Sequence, residues 1–268
     1  MAITFVIPVR HHASIRDWAR VQEDLALTVA SVRRQTVDDW HCVIVANEDT
    51  PLPRLPDDVL IVRVNLPHEP LPDWAGGVNA ERRFEATRAD KGARVLAGIV
   101  EAEPDGHVMI VDYDDFVSCR LAELSSTAPE SPGWVIDSGY MYDGRFLSYA
   151  QTSGFNGICG TSLIVHSRLL GLESAFETDP AHVRRTLGSH RFLAEDLANL
   201  GSPLVRCPFP GAVYRVNIPG SVSGSPTIRR MHFRRQLLTS DPKSFVRNVA
   251  NLRLSSSLTR EFGVPSTQ

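Results

Sequence analysis

The chain has 268 residues, of which 43% are hydrophobic, and a formal net charge of −3 at pH 7. This length and composition are typical of a soluble globular protein with one large α/β domain or two smaller ones. The acidic excess disfavours a nucleic-acid binder, whose surface needs basic residues to offset phosphates, and no apolar run approaches the roughly 20 residues that span a bilayer. We therefore expect a cytoplasmic protein with a partner smaller than a nucleic acid.

The first two predicted strands both end in polar residues. Residues 3–9 and 40–47 are continuous apolar runs, typical of strands buried in a parallel sheet. The tripeptide Arg-His-His at 10–12 follows the first run, and Asn-Glu-Asp at 47–49 ends the second. Apolar residues spaced by three or four positions over 21–32 predict a helix between them. A crevice with polar walls is therefore expected where these strands end.

A third strand, a loop and a helix lead up to the centre of the sequence. Residues 59–64 predict the strand, and residues 65–88, which are polar and rich in proline and glycine, predict a long loop or lid. Asp90 is a predicted helix N-cap. Lys91 and Arg94 in the first turns oppose the helix dipole, which favours an anionic partner. An ordinary solvated helix face is the alternative.

Three carboxylates follow the next predicted strand. Residues 108–111 are apolar and are followed by Asp112, Asp114 and Asp115. Carboxylates this close together repel one another, so keeping them ionised beside a core requires a cation or several hydrogen-bond donors. Hard oxygen ligands suit Mg²⁺ or Mn²⁺. The alternative is that Asp114 and Asp115 cap a helix beginning at Phe116.

The second half of the chain has shorter predicted strands. They are residues 134–138, 146–150, 159–166, 204–207 and 212–216. Their glycine-punctuated pattern predicts a mixed or antiparallel region fused to the first half without a flexible linker. Residues 178–201 are predicted to be mostly helical and contain Glu195 and Asp196. The apolar residues around this pair favour a packed helix, with at least one carboxylate facing inward.

The C-terminal tail is basic and amphipathic. It follows a turn-rich segment at 219–226 and sets eight basic residues against Asp241 and Glu261. The basic residues are Arg229, Arg230, Arg234, Arg235, Lys243, Arg247, Arg253 and Arg260. One interpretation is peripheral contact with an anionic membrane. The other is that the apolar side chains pack on the rest of the protein, with the arginines in solvent or around a substrate diphosphate.

A series of short motifs occurs in one order along residues 1–225. They are FVIPV at 5–9, LTVASVRRQT at 27–36, WHCVIVAN at 40–47, KGAR at 91–94, DYDD at 112–115, GTS at 160–162, ED at 195–196, and YR at 214–215 followed by Ser221 and Ser223. Each is weak alone, but the series resembles the family 2 glycosyltransferases of the GT-A fold. The resemblance implies a Rossmann-like, mostly parallel sheet flanked by helices, a smaller mixed or antiparallel acceptor-side region and a C-terminal helical tail.

The resemblance also implies domain boundaries and donor contacts. A single GT-A catalytic domain would span 1–225, with a nucleotide-sugar-binding half at 1–128 and an acceptor-side half at 129–225, followed by the basic helical tail at 226–268. The predicted donor-binding residues are Pro8, Val9, Arg10, Asn47, Glu48, Lys91, Arg94, Asp112 and Tyr113. The family more often has aspartate where this chain has Asn47. Because an amide both donates and accepts, the identity of the base stays open.

The resemblance implies a metal ion as cofactor, either Mn²⁺ or Mg²⁺. Asp112 would face the ribose and, with Asp114, take part in binding the ion that bridges the diphosphate. Many relatives place a further histidine ligand after the Tyr-Arg pair, where this chain has Asn217. His232 or His190 is the predicted substitute, since neutral imidazole can join carboxylates around Mn²⁺.

The resemblance places the catalytic base in the Glu-Asp pair. Asp196 is the first candidate to deprotonate the acceptor hydroxyl, and Glu195 is the second. Partial desolvation would raise the pKa of such a carboxyl group toward the working pH. Asp115 is assigned to the support of Asp114.

The predicted function is metal-dependent transfer of a sugar from a nucleotide diphospho-sugar, with UDP as first choice, to a hydroxyl of a glycan or lipid-linked acceptor, with inversion. The first alternative is a non-catalytic nucleotide- or glycan-binding module, which the missing histidine favours. The second is a nucleotidyltransferase, but the first strand is not followed by a glycine-rich basic phosphate loop. Through its tail the protein could also contact the inner face of a membrane.

Overall fold

The structure, a computed structural model, describes residues 1–68, 78–172, 178–218, 224–234 and 237–265. The strands in these ranges are β1 (Ile3–Pro8), β2 (Trp40–Asn47), β3 (Val59–Val64), β4 (His107–Ile110), β5 (Phe116–Val117), β6 (Gly133–Val135), β7 (Gly139–Tyr142), β8 (Leu147–Gln151), β9 (Leu163–His166), β10 (Val205–Arg206), β11 (Ala212–Arg215) and β12 (Leu252–Leu254). The α-helices are α1 (Trp18–Val32), α2 (Val78–Ala102), α3 (Leu121–Thr127), α4 (Pro180–Thr186), α5 (His190–Asn199), α6 (Ile228–His232), α7 (Leu237–Ser240), α8 (Pro242–Ala250) and α9 (Thr259–Phe262). Parts of the predicted lid and of the turn-rich segment lie outside the described residues.

The larger sheet has seven strands in the order β10-β6-β9-β4-β1-β2-β3. All its neighbouring strands run parallel except β9, which is antiparallel to both β4 and β6. Because β1 lies between β2 and β4, the carboxyl ends of these three strands meet at one edge of the sheet. The prediction of an α/β protein with a mostly parallel sheet flanked by helices is confirmed.

Helices cover both faces of this sheet because successive side chains of a strand point to opposite faces. Phe5 packs in one core with Leu25 of α1, whereas the next residue, Val6, packs in a second core with Val95 of α2. All four side chains have no exposed surface. Burying each such side chain stabilises the fold by about 1.5–3 kcal/mol, so the apolar strands are held from two sides.

Helix α2 begins at Val78, well before the predicted start at Asp90. Asp90 accepts hydrogen bonds from Arg94 one turn later, at 2.8–3.0 Å, so its carboxylate makes an ion pair within the helix instead of capping it. The prediction that the loop extends to residue 88 is therefore wrong. Alanine, glutamate and arginine are frequent between Asn79 and Asp90, and all three favour helix.

A second sheet has five strands in the order β12-β8-β7-β11-β5, and from β5 onward its strands alternate along the chain with those of the larger sheet. Its neighbouring strands are antiparallel except for β7 with β11. Sequence patterns did not predict β7 and β12. The alternative that Phe116 begins a helix is wrong, because Phe116 and Val117 pair with β11 and α3 begins at Leu121.

The C-terminal tail contributes to the core of this second sheet. Leu258, Phe262 and Val264 are buried with Phe116 and Val213, and β12 pairs with β8. The tail thus packs its apolar side chains on the rest of the protein, as one of the two interpretations predicted. Within the described ranges, no helix combines the length and the apolar character needed to cross a bilayer. Membrane contact remains a prediction.

Candidate functional site

The candidate site lies at the edge of the larger sheet where β1, β2 and β4 end. The register pairs Val6 with Ile110, and Val111 then donates from its backbone to the Val6 carbonyl oxygen. Asp112 therefore lies after β4 at the level of Pro8, two residues before the level that Arg10 after β1 shares with Asn47 at the end of β2. This edge is the usual ligand position in open α/β sheets, so the topology brings the predicted donor-binding strand ends together.

Lys91 of α2 neutralises Asp112. Its Nζ donates to Asp112 Oδ1 at 2.5 Å, and both side chains are mostly buried. The backbone N–H of Asp112 donates to Thr161 Oγ1 at 2.9 Å. On the other side, Asp112 Oδ2 lies so close to Gly160 that a Cβ there would be 2.3 Å away. Asp112 is consequently fixed between a cation and the backbone before β9.

Asp115 is a buried anchor. Its carboxylate accepts hydrogen bonds from Thr161 Oγ1 at 2.7 Å, from Cys159 Sγ at 3.4 Å and from the backbone N–H of Arg215 at 3.0 Å. Burial raises the pKa of Asp115 to about 7, with a further increase from Asp112, while the three donors act in the opposite direction. The position fits the predicted supporting role, because Asp115 has no free face for a ligand.

Asp114 differs from both neighbours. It is half-buried, and no donor among the described residues contacts its carboxylate. Burial, followed by the charges of Asp115 and Asp112, raises the pKa of Asp114 well above its usual range. A divalent ion would relieve this cost. The donor chemistry therefore fits a metal at Asp114, whereas Oδ1 of Asp112 already binds Lys91.

The third predicted metal ligand is not near the other two. His232 stacks on Tyr149 with ring centroids 3.8 Å apart. Asp112, Asp114 and His232 do not form a group with ligand atoms within 4.8 Å of one another; in the described ranges, such a group is formed by His11, His12 and Asp49. The structure therefore does not gather the predicted three-ligand set.

The His11 cluster is poorly suited to bind a metal ion. His11 Nε2 lies 3.6 Å from Asp49 Oδ1, while His11 Nδ1 accepts a hydrogen bond from the backbone N–H of Ala13. A neutral imidazole that accepts at Nδ1 carries its proton on Nε2, so Nε2 has no lone pair for a metal. We interpret the cluster as a hydrogen-bonded wall of the crevice.

The residues predicted to contact the nucleotide base lie beside this wall, and they differ in how exposed their side chains are. Val9 is fully buried and extends the sheet by donating to the Val45 carbonyl oxygen. Asn47 Nδ2 donates to the Leu66 carbonyl oxygen at 2.7 Å, which leaves its buried Oδ1 without a partner among the described residues. Glu48 is exposed. A free amide oxygen at Asn47 can accept a hydrogen bond from a base, provided that the crevice opens to it.

Arg94 is fully buried and has a different role from Lys91. Its Nε and Nη2 bind Asp90, and its Nη1 has no partner in the described residues. Because Arg94 has no exposed surface, it can attract an anion electrostatically, but it can contact the anion only if α2 moves. Its predicted donor contact remains a prediction.

Asp196 is ion-paired with Arg185. Arg185 Nε and Nη2 donate to its two carboxylate oxygens, each at 2.7 Å. The hydrogen bonds from Arg185 lower the pKa of Asp196, so the expected rise of that pKa is wrong. Glu195 is exposed, and the paired Asp196 is only partly exposed. An arginine on the neighbouring helix α4 outweighs the partial desolvation on which that expectation depended.

His190 lies beside the Lys91–Asp112 pair. It borders a cavity of about 30 Å³ with Lys91 and Gly160, large enough for one or two waters. Burial, followed by the charge of Lys91, lowers the pKa of His190 to about 4, so the ring is neutral at pH 7. Its buried Nε2 has no partner among the described residues. A neutral imidazole in this position can bind a water or a substrate hydroxyl.

Sequence reasoning missed a buried polar stripe on α1. Asp24, Thr28 and Ser31 are all almost fully buried. Thr28 Oγ1 contacts the backbone carbonyl oxygens of Tyr113 and Asp115, each at 2.8 Å, and Asp24 pairs with Arg215 at 2.6 Å. Their spacing of four and three residues was a usable signal, because it places three polar residues on one face of a helix. The stripe holds the backbone that carries the carboxylates.

Gly160→Ala is expected to disturb the Lys91–Asp112 pair. A Cβ would lie 2.3 Å from Asp112 Oδ2 and 3.3 Å from Lys91 Nζ, so the carboxylate must turn. We expect a loss of about 1–2 kcal/mol in unfolding free energy, measured with urea. Gly157→Ala is the matched control, since no described atom lies within 4 Å of its Cβ position. Equal destabilisation by the two substitutions would contradict the close approach.

Comparisons with known proteins show distant similarity only. No family model and no curated protein matches the chain. Among solved structures, TarS 1-349 from S. aureus is similar with 11% identity and a TM-score of 0.46, over 80% of this chain and 60% of that chain. A nucleotidyl transferase from Methanothermobacter thermautotroptrophicus is similar with 18% identity and a TM-score of 0.39, over 78% and 88%. The 2-C-methyl-D-erythritol 4-phosphate cytidylyltransferase from Thermus thermophilus has 15% identity and a TM-score of 0.35, over 93% and 98%.

The chain spans less than two thirds of the TarS structure. Identities and TM-scores this low assign neither a family nor an activity. The structure itself defines a mixed α/β protein with a mostly parallel sheet and a carboxylate-lined crevice at one edge. The chemistry of that crevice is therefore the feature that bears on function.

Proposed function

We propose that the protein is a glycosyltransferase that passes a sugar from a nucleotide diphospho-sugar to an acceptor hydroxyl. The observation that carries the proposal is the position of Asp112, Asp114 and Lys91 together at the carboxyl edge of the larger sheet. Open α/β sheets bind ligands at this edge. An ammonium group can donate to an anionic diphosphate, and the carboxylates beside it can accept from the hydroxyl groups of a ribose or sugar. The motifs that resemble family 2 glycosyltransferases support the same function.

The proposed cofactor is Mn²⁺ or Mg²⁺, held by Asp114 and by Asp112 once Lys91 turns toward the diphosphate. When bound, the ion would neutralise charge on the departing diphosphate. Lys91 contributes to the same task by donating to phosphate oxygens. Thr161 holds both the backbone N–H of Asp112 and the carboxylate of Asp115, so it keeps the whole acidic turn in position. We expect a UDP-linked donor and inversion at the sugar.

Asp196 is the proposed base, with Glu195 as the second candidate. Since Arg185 lowers the pKa of Asp196, the carboxylate is ionised at neutral pH but accepts a proton weakly while it remains paired. Asp196→Asn is expected to lower turnover by at least about 100-fold with donor affinity nearly unchanged. Glu195→Gln makes the same charge change on an exposed neighbour and should remain close to wild type. Normal transfer by Asp196→Asn would exclude Asp196 as the base.

A non-catalytic nucleotide- or glycan-binding module is the second candidate. The Arg185–Asp196 pair favours it, because Arg185 occupies both oxygens of the proposed base. In that case the wild-type protein binds a nucleotide-sugar and transfers nothing to any acceptor. The same variants would then leave donor binding unaffected.

The experiment that tests the proposal is a thermal-shift screen with UDP-, GDP- and dTDP-sugars in Mn²⁺, Mg²⁺ or EDTA. A ligand that binds only the folded state raises the unfolding midpoint. We expect the largest rise with a UDP-sugar and Mn²⁺, followed by UDP release in the presence of a glycan or lipid-linked acceptor. No shift with any donor would overturn the proposed function, whereas a shift without transfer would favour the binding module.

A further inference from the structure

A second cavity, of about 740 Å³, is lined by arginines and by none of the three carboxylates. Arg145 before β8 forms part of one wall, and Arg229, Arg230 and Arg234 in and after α6 form part of the other. Phe233 also borders the cavity. Arg229, Arg230 and Arg234 belong to the basic C-terminal tail. The structure gathers them with an arginine from outside the tail.

These four arginines are not neutralised within the described parts of the chain. Some arginines elsewhere pair with carboxylates, as in Arg33–Asp58 and Arg185–Asp196, whereas no described carboxylate pairs with any of the four. Four guanidinium groups around one cavity repel one another unless an anion enters. Guanidinium groups also bind phosphate in a bidentate manner. The cavity is thus complementary to a phosphate-bearing ligand.

Hydrogen bonds hold both walls of the cavity in place. Ser255 binds the backbone carbonyl oxygens of Arg145 and Phe146 through its Oγ and its N–H, at 2.7 and 2.8 Å. On the opposite wall, Thr227 caps α6 by accepting from the backbone N–H of Arg230, and Ile228 is buried. The side chains of the arginines therefore extend from fixed backbone, which lowers the entropic cost of binding an anion.

Exposed apolar side chains follow Arg145 in the chain and continue onto the strand that pairs with β8. Phe146, next to Arg145, is 61% exposed, while Leu147 and Leu254 are 39% and 49% exposed. Leu147 and Leu254 are register partners on β8 and β12, so they are neighbours on the edge of the second sheet. Exposed apolar side chains next in sequence to a basic lining residue are typical of surfaces that bind anionic lipids. A soluble phosphate would leave this apolar surface in water.

We propose that this cavity binds the phosphate headgroup of an anionic membrane lipid, with Phe146, Leu147 and Leu254 against the acyl region. The proposal does not depend on the proposed glycosyl transfer, since the cavity shares no residue with the carboxylate site. It also assigns membrane contact to a defined pocket instead of to the net charge of the tail.

The test is flotation of the full chain with vesicles of phosphatidylcholine, with and without phosphatidic acid. We expect salt-sensitive binding to the anionic vesicles only. Arg229→Gln/Arg230→Gln should lower the partition coefficient by about tenfold or more. Lys243→Gln/Arg247→Gln removes the same charge from exposed positions of α8 outside the cavity and should lower it much less. Unfolding midpoints establish that both variants are folded.

Three outcomes would overturn the proposal. The first is absence of binding to the anionic vesicles by the intact protein. The second is an equal loss of binding in the two double variants, which would mean that diffuse charge attracts the membrane. The third comes from calorimetry with inorganic pyrophosphate: binding as tight as to vesicles, lost in Arg229→Gln/Arg230→Gln, would assign the cavity to a soluble phosphate.

Discussion

Asp114→Asn is expected to weaken metal-dependent donor binding strongly and at the same time to stabilise the ligand-free protein. The carboxylate of Asp114 has no donor in the described structure, while burial and the neighbouring Asp115 and Asp112 penalise its charge. An amide of the same shape removes that charge without leaving a cavity. We expect donor affinity in Mn²⁺ to fall about 100-fold, as after loss of a metal contact, measured by calorimetry with UDP.

The stability effect of Asp114→Asn has a defined pH dependence. The folded pKa of Asp114 lies well above the ordinary value of 3.8, so the folded state binds this proton more tightly than the unfolded state does. Its contribution to stability is fully present below pH 3.8 and is lost as the pH rises through the folded pKa. The wild-type protein should therefore lose this contribution toward neutral pH, and Asp114→Asn should reduce the loss.

The matched control for this experiment is Asp57→Asn, which makes the same change at an exposed position without a described ion pair. Asp57→Asn should change the unfolding free energy by less than about 0.5 kcal/mol at any pH. If Asp114→Asn keeps the wild-type donor affinity, Asp114 is not a metal ligand. If it destabilises the ligand-free protein at neutral pH, its carboxylate has a stabilising partner, contrary to the present interpretation.

Asp24→Asn is expected to cause the largest loss of stability. Asp24 Oδ1 lies 2.6 Å from Arg215 Nη1, and the two side chains are 1% and 5% exposed. Removing one partner of a buried ion pair leaves an uncompensated charge and costs about 3–5 kcal/mol. Arg20 contacts the same oxygen at 3.2 Å but is itself 43% exposed, so its charge stays partly in water. Urea unfolding followed by circular dichroism measures the difference.

An exposed ion pair provides the control for Asp24. Asp58→Asn breaks the contact between Arg33 and Asp58, which is 2.9 Å long with both side chains nearly half exposed. A pair of this kind contributes about 0–1 kcal/mol, because water and salt screen it. Asp24→Asn should also weaken sugar transfer. Asp24 pairs with Arg215, and the backbone N–H of Arg215 donates to Asp115 in the candidate site. Equal effects of Asp24→Asn and Asp58→Asn on stability would contradict a structural role for the buried pair.

Much of the fold could be predicted from local sequence patterns. The bounds of β2 and β3 agree with their prediction, and β1 differs by one residue at its end. Continuous β-branched runs are diagnostic because a strand of a parallel sheet is covered on both faces. The predictions failed for β7 and β12, which are short and each of which has a partner distant in sequence: Tyr140 pairs with Val213, and Leu252 pairs with Tyr149. Local periodicity contains no information about such a partner.

The candidate site illustrates the same limit at the level of single side chains. The sequence predicted that Asp112, Asp114 and Asp115 follow a buried strand, but it could not distinguish their environments. Asp115 is satisfied by donors 44, 46 and 100 residues away, whereas Asp114 receives none that the structure describes. Likewise, the pKa of Asp196 is lowered by Arg185, which lies on the neighbouring helix α4.

The sequence by itself determined the mostly parallel sheet and the position of three carboxylates at its carboxyl edge. These features follow from hydrophobic periodicity and strand order, which are properties of consecutive residues. Only the tertiary structure decided that Lys91 neutralises Asp112, that Asp115 is an anchor and that Asp114 is left for a ligand. The physical reason is that the free energy of a buried charge depends on the donors and charges within a few ångströms, and chain folding brings those groups from remote positions.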